Sequence, residues 1–277
     1  MKFKKYFSLA LVILVSLYLL TGCSIVKSFL ENSQKVVNEI ENHHIEYTQD
    51  ITIEDIEDAI TTASNIAKSC TIGVYVTSES FITTSTSSGS AVIVKRTENA
   101  DNSYSYYAIT NRHVTGNKLS KQIKVYLGDE LNVYLNAQLV AYDERYDLSL
   151  ISFDAPFMLG VANFAKSELK TGQFVIAVGS PYNLEAYYNT VTVGNISSTK
   201  RYRTEEDVHG VTYKNEFIQH DASINSGNSG GGLFDIYGNL IGINTWKIVG
   251  DVSDSIEGLS FSIPASIVKE RFEKYIK

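Results

Sequence analysis

Four glycines surround one serine in the stretch from Ile224 to Asp235, which reads INSGNSGGGLFD. Glycine permits positive φ and lets another group approach the backbone closely, and the central serine of this cluster is Ser229. The segment is compatible with a flexible surface turn between two strands. It is equally compatible with a loop whose amide N–H groups converge beside a nucleophilic hydroxyl, as stabilisation of an oxyanion requires.

A serine hydroxyl becomes a good nucleophile only when a base accepts its proton and a carboxylate orients that base. His113 directly follows an apolar strand pattern, in TNRHV, and a strand end would present it at a cleft. Asp147 precedes the apolar run LSLISF, and a carboxylate at a core boundary needs a partner. Each residue alone fits an ordinary turn, whereas together with Ser229 they are candidates for a catalytic triad.

The other histidines are weaker candidates for a base. His43, His44 and His209 stand in polar segments and are expected to be solvated, and His220 ends a predicted strand and is expected to be structural. A metal site built from His113 and His220 is an alternative that lacks compact ligand spacing. We therefore predict neither a metal ion nor another cofactor.

The elements that must position these residues are mostly strands. From about residue 71 to residue 263, short β-rich runs alternate with turn residues, which is typical of a barrel or a sandwich. A helix is predicted over 53–68, where a capping box begins at Thr52 and apolar residues follow at three- and four-residue spacing. A second helix is predicted from Pro264, with one apolar face formed by Ile267, Val268, Phe272 and Ile276.

The composition indicates a globular protein and excludes one class of partner. The 277 residues are 44% hydrophobic and 20% charged, which is enough apolar material for a core. The formal charge is −7 and the basic residues form no stripe, so we expect no nucleic acid partner.

The first residues read as an export signal. Lys2, Lys4 and Lys5 precede an apolar run over 7–20 that is short for a membrane span, and Leu20-Thr21-Gly22-Cys23 resembles the lipobox of bacterial lipoproteins. We predict a lipoprotein signal peptide over 1–22, diacylation of Cys23, for instance with palmitate, and a tether over 23–50. The alternative is an ordinary signal peptide or an N-terminal anchor. The expected location is the extracytoplasmic face of the cell membrane. With Cys23 carrying lipid, Cys70 has no disulfide partner and is expected to be buried.

Several motifs in register resemble the trypsin-like serine proteases of the HtrA/Deg family. They are TNRHV, YDLSLI, VIAVGSPY, NTVTVGNIS, FIQHDASINSGNSGG, LIGINT and GLSFSIP, within residues 55 to 275. The resemblance implies an all-β fold, a chymotrypsin-like double six-stranded β-barrel with a short N-terminal helix and a C-terminal helix. The protease domain would cover 51–277, with barrel 1 over about 70–160, barrel 2 over about 170–263 and the C-terminal helix over 264–277.

The resemblance also implies residue roles. His113 is the base, Asp147 fixes its tautomer, and Ser229 is the nucleophile, in a crevice between the barrels. The amides of Gly227 and Ser229 form the oxyanion hole, although the family often has proline at the positions of Ser226 and Gly232, which predicts a loop with more backbone freedom. The substrate pocket is predicted from Ser223, Ile224, Ile243, Asn244 and Thr245.

The implied function is an extracytoplasmic, lipid-anchored serine endopeptidase acting on misfolded or surface proteins, and the alternative is a binding lipoprotein that keeps the fold without cutting. The predicted pocket carries no charge, so we expect cleavage after Val, Ala, Ile or Leu unless Asp251 or Glu257 reaches it. Many relatives continue into a PDZ domain, which we do not expect after Lys277. The resemblance also allows a homo-oligomer such as a trimer.

Overall fold

The computed structural model describes residues 52–79, 84–116, 121–128, 131–206, 210–247 and 258–276. The predicted signal peptide, the tether and Cys23 lie outside these residues, as do His43, His44, His209, Asp251 and Glu257. Within the described ranges, no helix is both long enough and apolar enough to cross a membrane.

Six strands close into a first barrel in the order β1-β2-β3-β6-β5-β4. They are β1 (Thr71–Glu79), β2 (Thr84–Glu98), β3 (Tyr104–Asn111), β4 (Lys121–Leu127), β5 (Val133–Asp143) and β6 (Leu148–Ala155). Strand residues two apart face the same side of a sheet, so Ile72, Val74 and Val76 all point into the barrel core.

A second barrel follows, with the order β10-β11-β12-β9-β8-β7. Its strands are β7 (Phe174–Gly179), β8 (Thr190–Glu206), β9 (Thr212–His220), β10 (Gly232–Asp235), β11 (Leu240–Lys247) and β12 (Ser260–Pro264). Val175, Ala177, Ile218 and Ile241 fill its interior. The predicted all-β fold with two six-stranded barrels is confirmed.

A third apolar cluster joins the two barrels. It combines Val92, Ile109 and Leu148 of the first barrel with Val178 and Phe234 of the second. Because burial of apolar surface scales with the area removed from water, this shared cluster fixes one barrel against the other. The strand ends and loops that border it are therefore held in a constant relation.

The described residues also form three helices: α1 (Ile53–Cys70), α2 (Arg112–Thr115) and α3 (Ala265–Ile276). The helix α1 extends two residues beyond the predicted end at 68. It buries the small residues Ala63, Ala67 and Cys70, whereas Ile53 is 77% exposed. Small side chains let the helix backbone approach the barrels closely. The buried face of α1 is therefore the one with these small residues, and it is rotated away from the face on which the isoleucines recur.

Cys70 is a structural residue at the end of α1. Its thiol is 1% exposed and donates to the carbonyl of Ala67. Burial raises the pKa of this thiol to about 12, so the reactive thiolate is strongly disfavoured at neutral pH.

Candidate active site

His113 and Asp147 form a hydrogen-bonded pair at one end of the first barrel. The Nδ1 atom of His113 lies 2.5 Å from Asp147 Oδ2, and the backbone N–H of His113 donates to Asp147 Oδ1 over 2.8 Å. Both carboxylate oxygens are therefore engaged by one histidine, which fixes the ring orientation and holds the proton on Nδ1. The opposite ring nitrogen, Nε2, is then left as an acceptor.

Two chain reversals bring this pair together. The strand β3 ends at Asn111 and leads directly into α2, which carries His113, while Asp147 immediately precedes β6. The backbone carbonyl of Asp147 accepts from the Arg112 N–H and from Asn111 Nδ2, both over 2.9 Å. Asp147 has φ +53°, a left-handed conformation that Asp tolerates better than most residues. The side chain and backbone of Asp147 thus both fasten the His113 segment.

Ser229 is partly exposed in the loop before β10. Its hydroxyl donates to the carbonyl of Thr245 on β11 over 3.0 Å. Among the described residues, Ser229 Oγ and His113 share no hydrogen bond. A proton transfer from Ser229 to His113 would therefore require the hydroxyl to leave the Thr245 carbonyl.

The backbone before Ser229 forms a tight turn from Asn225 to Asn228. The Asn228 N–H donates to the Asn225 carbonyl over 2.9 Å, and Gly227 at the third position has φ +100°, which defines a type II turn. The central carbonyl, that of Ser226, accepts from the Tyr182 N–H over 2.7 Å. In a trans peptide the N–H points opposite to the C=O, so the Gly227 N–H faces away from Tyr182.

This turn leaves two donors available for an oxyanion. Neither the Gly227 nor the Ser229 amide donates a hydrogen bond to any residue in the described ranges. A Cβ at Gly227 would collide with the carbonyl of Ser180 and crowd Pro181 and Tyr182, so glycine is required by space as well as by φ. The carbonyl of Ser226 is fixed although proline is absent there.

Ser90, on β2, is the main support of the turn and was missed from the sequence. Its hydroxyl donates to the Gly227 carbonyl over 2.8 Å and accepts from the Ser180 N–H over 2.9 Å, while its own N–H donates to the Ser229 carbonyl over 2.9 Å. Ser90 is 0% exposed. The sequence shows a polar residue at the start of the apolar run AVIV, but nothing in it indicates hydrogen-bond partners that lie 90 and 137 residues further along the chain.

We expect Ser90→Ala to lower kcat by about 10- to 100-fold while leaving KM nearly unchanged. The variant loses two buried hydrogen bonds and leaves the Gly227 carbonyl and the Ser180 N–H unpaired, which loosens donors used mainly in the transition state. Steady-state kinetics on a peptide substrate measure the split. Ser88→Ala, an exposed position on the same strand, is the matched control, and an equal loss in both variants would contradict the role of Ser90.

The predicted pocket residues lie in two environments. Ser223 is exposed, and its carbonyl accepts from Thr192 Oγ1. Ile243 and Asn244 are 0% exposed and Ile224 is 5% exposed. Ile243 and Asn244 are thus enclosed, backbone as well as side chain, so neither presents surface to a substrate in this conformation. Thr245 is the predicted pocket residue that contacts Ser229 directly, through its carbonyl.

Asn244 instead links the serine loop to His220. The His220 Nε2 atom lies 2.9 Å from Ser262 Oγ, and Ser262 Oγ donates to Asn244 Oδ1 over 2.9 Å. Since the Ser262 hydroxyl has one proton, the Nε2–H of His220 is the donor in the first bond. The Asn244 backbone then exchanges hydrogen bonds with Gly230 and Gly231. His220 is therefore a structural residue with a defined tautomer.

We expect His220 to make the fold sensitive to acid. Burial lowers the pKa of this imidazole to about 4, against the weaker opposing effects of Asp221 and the Ala222 backbone. The unfolded chain then binds the proton more readily, so stability is complete above pH ~6.5 and falls as pH drops, by about 2 kcal/mol between pH 7 and pH 5. Denaturant unfolding at both pH values should show a smaller decrease in His220→Gln, and an equal decrease would contradict this.

The sequence comparisons agree with this geometry. Residues 89–243 match the family described as a trypsin-like peptidase domain. The chain is 36% identical over 227 residues to the serine protease Do-like HtrA of Bacillus subtilis (strain 168), covering 81% of this chain and 47% of that protein. It is 39% identical over 185 residues to the serine protease Do-like HtrA of Lactococcus lactis subsp. lactis (strain IL1403), covering 66% of this chain and 43% of that protein.

A solved structure supports the same relation. An HtrA-type protease determined with a tripeptide is similar to this chain with a TM-score of 0.60 and 32% identity, over 79% of this chain and 64% of that chain. The chain spans about half the length of the curated relatives it matches. The predicted resemblance is confirmed: the chain belongs to the trypsin-like peptidase domain family, where its relatives are serine proteases of the HtrA type.

Proposed function

We propose that this chain is a serine endopeptidase that hydrolyses peptide bonds through an acyl-enzyme. Ser229 Oγ attacks the carbonyl carbon of the peptide while His113 Nε2 takes the hydroxyl proton. The Gly227 and Ser229 amides receive the negative charge that develops on the carbonyl oxygen, each contributing about 3 kcal/mol. His113 then gives its proton to the leaving amine, and a water molecule activated by His113 releases the acyl group.

Two observations carry this proposal: His113 pairs with both oxygens of Asp147, and the turn before Ser229 has two amides unused among the described residues. Gly89 links the two, because a Cβ there would meet both the Val114 side chain, next to His113, and the Ser229 carbonyl. The pair supplies a base with a fixed tautomer, and the turn supplies preorganised donors that need no rearrangement at the moment of reaction. The starting hydrogen bond from Ser229 to Thr245 is a small obstacle, because exchanging one hydrogen bond costs about 1 kcal/mol.

We also propose that the substrates are unfolded proteins cut after Val, Ala, Ile or Leu. In the described part of the site, neither Thr245 nor its β11 neighbours near Ser229 carry a charge. A Lys, Arg or Glu side chain of the substrate buried there would therefore lack a partner of opposite charge. The test is digestion of a reduced and alkylated protein, followed by mass spectrometry of the new termini. We expect aliphatic residues before the cut, and a profile dominated by Arg, Lys or Glu would contradict the proposed specificity.

The proposed location is the extracytoplasmic face of the cell membrane, reached through lipid on Cys23. The support is the order of Lys2, Lys4 and Lys5, the apolar run over 7–20, and a small residue before Cys23. Two or more acyl chains would anchor the protein stably. In cells making the full chain, Cys23→Ser should lack the lipid mass and leave the membrane fraction, and unchanged mass and partition would contradict the proposal.

The proposed assembly is a homo-oligomer such as a trimer, supported by the HtrA relationship. Light scattering coupled to size-exclusion chromatography gives the mass directly. A mass of one chain at micromolar concentration would contradict the proposed assembly and leave the proposed chemistry intact.

A further inference from the structure

A cavity of about 520 Å³ opens beside the oxyanion turn. It is lined by Pro181, Tyr182 and Tyr187 from the loop between β7 and β8, and by Asn225 and Ser226 of the turn itself. Tyr182 is 88% exposed and Tyr187 is 52% exposed. Exposed aromatic rings around a cavity are unusual on a surface that binds nothing, and this cavity shares two residues with the proposed catalytic site.

The strand order fixes on which side of Ser229 the cavity lies. The Ser229 loop leads into β10, and β10 pairs with β11 on one side and with β7 on the other. Thr245 belongs to β11, beside which the residue before the scissile bond is proposed to bind. The β7–β8 loop lies on the opposite side, so the substrate residues that follow the scissile bond run toward Tyr182 and Tyr187.

We propose that this cavity is a specificity site for a bulky apolar side chain, aromatic or branched aliphatic, at the first or second substrate position after the scissile bond. The inference rests on the proposed function. Tyrosine rings and a proline offer apolar area and ring edges to such a side chain. The lining residues in the described part of the chain carry no charge, so Asp or Lys at the same substrate position would be desolvated without a partner among them.

The β7–β8 loop is held rigidly enough to act as a preformed pocket wall. Asn183 Oδ1 accepts from the Glu185 and Ala186 N–H groups, which closes the loop on itself. Tyr134 on β5 donates to Glu185 over 2.8 Å, and Asn189 Nδ2 donates to the Lys68 carbonyl over 3.0 Å. Contacts to the first barrel and to α1 thus hold the middle and the C-terminal end of the loop, and a preformed site loses little conformational entropy on binding.

The test uses internally quenched peptides that share one fixed sequence before the scissile bond, ending in Val. The first two positions after the bond carry Ala, Leu, Phe, Asp or Lys. We expect wild type to prefer Phe or Leu over Ala by about tenfold in kcat/KM and to disfavour Asp and Lys, a range typical of one apolar contact. In Tyr187→Ala this preference should fall below about threefold, whereas Tyr187→Phe should keep it.

Tyr237→Ala is the matched control, because Tyr237 is 74% exposed on the turn between β10 and β11 and outside the cavity. It should keep the wild-type preference. An active wild type without the preference, or a Tyr187→Ala variant that retains it, would overturn the specificity site and leave the proposed function standing. A folded chain that cleaves none of the peptides would overturn the proposed function, and this inference with it.

Discussion

Replacing Ser229 or His113 by alanine is expected to lower kcat by about 10⁶-fold in each case, and the double variant should be hardly slower than either single variant. The reason is that the hydroxyl and the imidazole carry out one step together: without the base the hydroxyl keeps its proton, and without the hydroxyl the base has no nucleophile to activate. Single-turnover and steady-state kinetics on an unfolded protein substrate measure the three losses.

The matched control for this experiment is Ser266→Ala, because Ser266 is exposed on α3. It should retain wild-type kcat. Far-UV circular dichroism of all variants separates loss of chemistry from loss of fold. If the losses of Ser229→Ala and His113→Ala added up in the double variant, the two residues would act in different steps and the triad would be wrong.

Asp147→Asn is expected to lower kcat by about 10⁴-fold at neutral pH without unfolding the chain. The amide oxygen of the new asparagine can still accept from the backbone N–H of His113, as Asp147 Oδ1 does over 2.8 Å. The amide nitrogen then faces His113 Nδ1, which must become an acceptor and leave the proton on Nε2. A protonated Nε2 cannot take the proton of Ser229, so the wrong tautomer blocks the first step.

Asp154→Asn is the matched control for the carboxylate. Asp154 also accepts a side-chain hydrogen bond, from Ser105 over 2.6 Å, but it lies near the other end of β6. We expect it to retain wild-type activity. A loss in Asp147→Asn of less than about tenfold would show that orientation of His113 does not depend on this carboxylate, contrary to the geometry.

Most of the secondary structure could be predicted from local patterns in the sequence. Alternating β-rich runs and turn residues predicted a barrel or a sandwich, and the resemblance to the HtrA/Deg family specified two six-stranded barrels. The offset of α1 was not predictable, since periodicity marks an isoleucine stripe and an alanine stripe alike. Only packing against the barrels selects Ala63 and Ala67 over Ile53 and Ile56.

The site divides in the same way. His113, Asp147 and Ser229 could be proposed because short motifs mark them, and the structure brings His113 and Asp147 into contact. The roles of Ser90 and Asn244 depend on hydrogen bonds between distant strands, and a bulge on β11 between Asn244 and Trp246 interrupts the simple alternation of faces. Such contacts are properties of the closed barrels and leave no local pattern.

Covalent labelling with a fluorophosphonate tests most directly whether Ser229 is a nucleophile activated by His113. Such a probe reacts quickly only with a serine whose proton a neighbouring base accepts. We expect wild type to gain the mass of one probe, located by peptide mass spectrometry on Ser229, and Ser229→Ala to remain unlabelled. A folded wild type that stays unlabelled, or a label on another serine, would contradict the account and favour a binding protein with a protease fold.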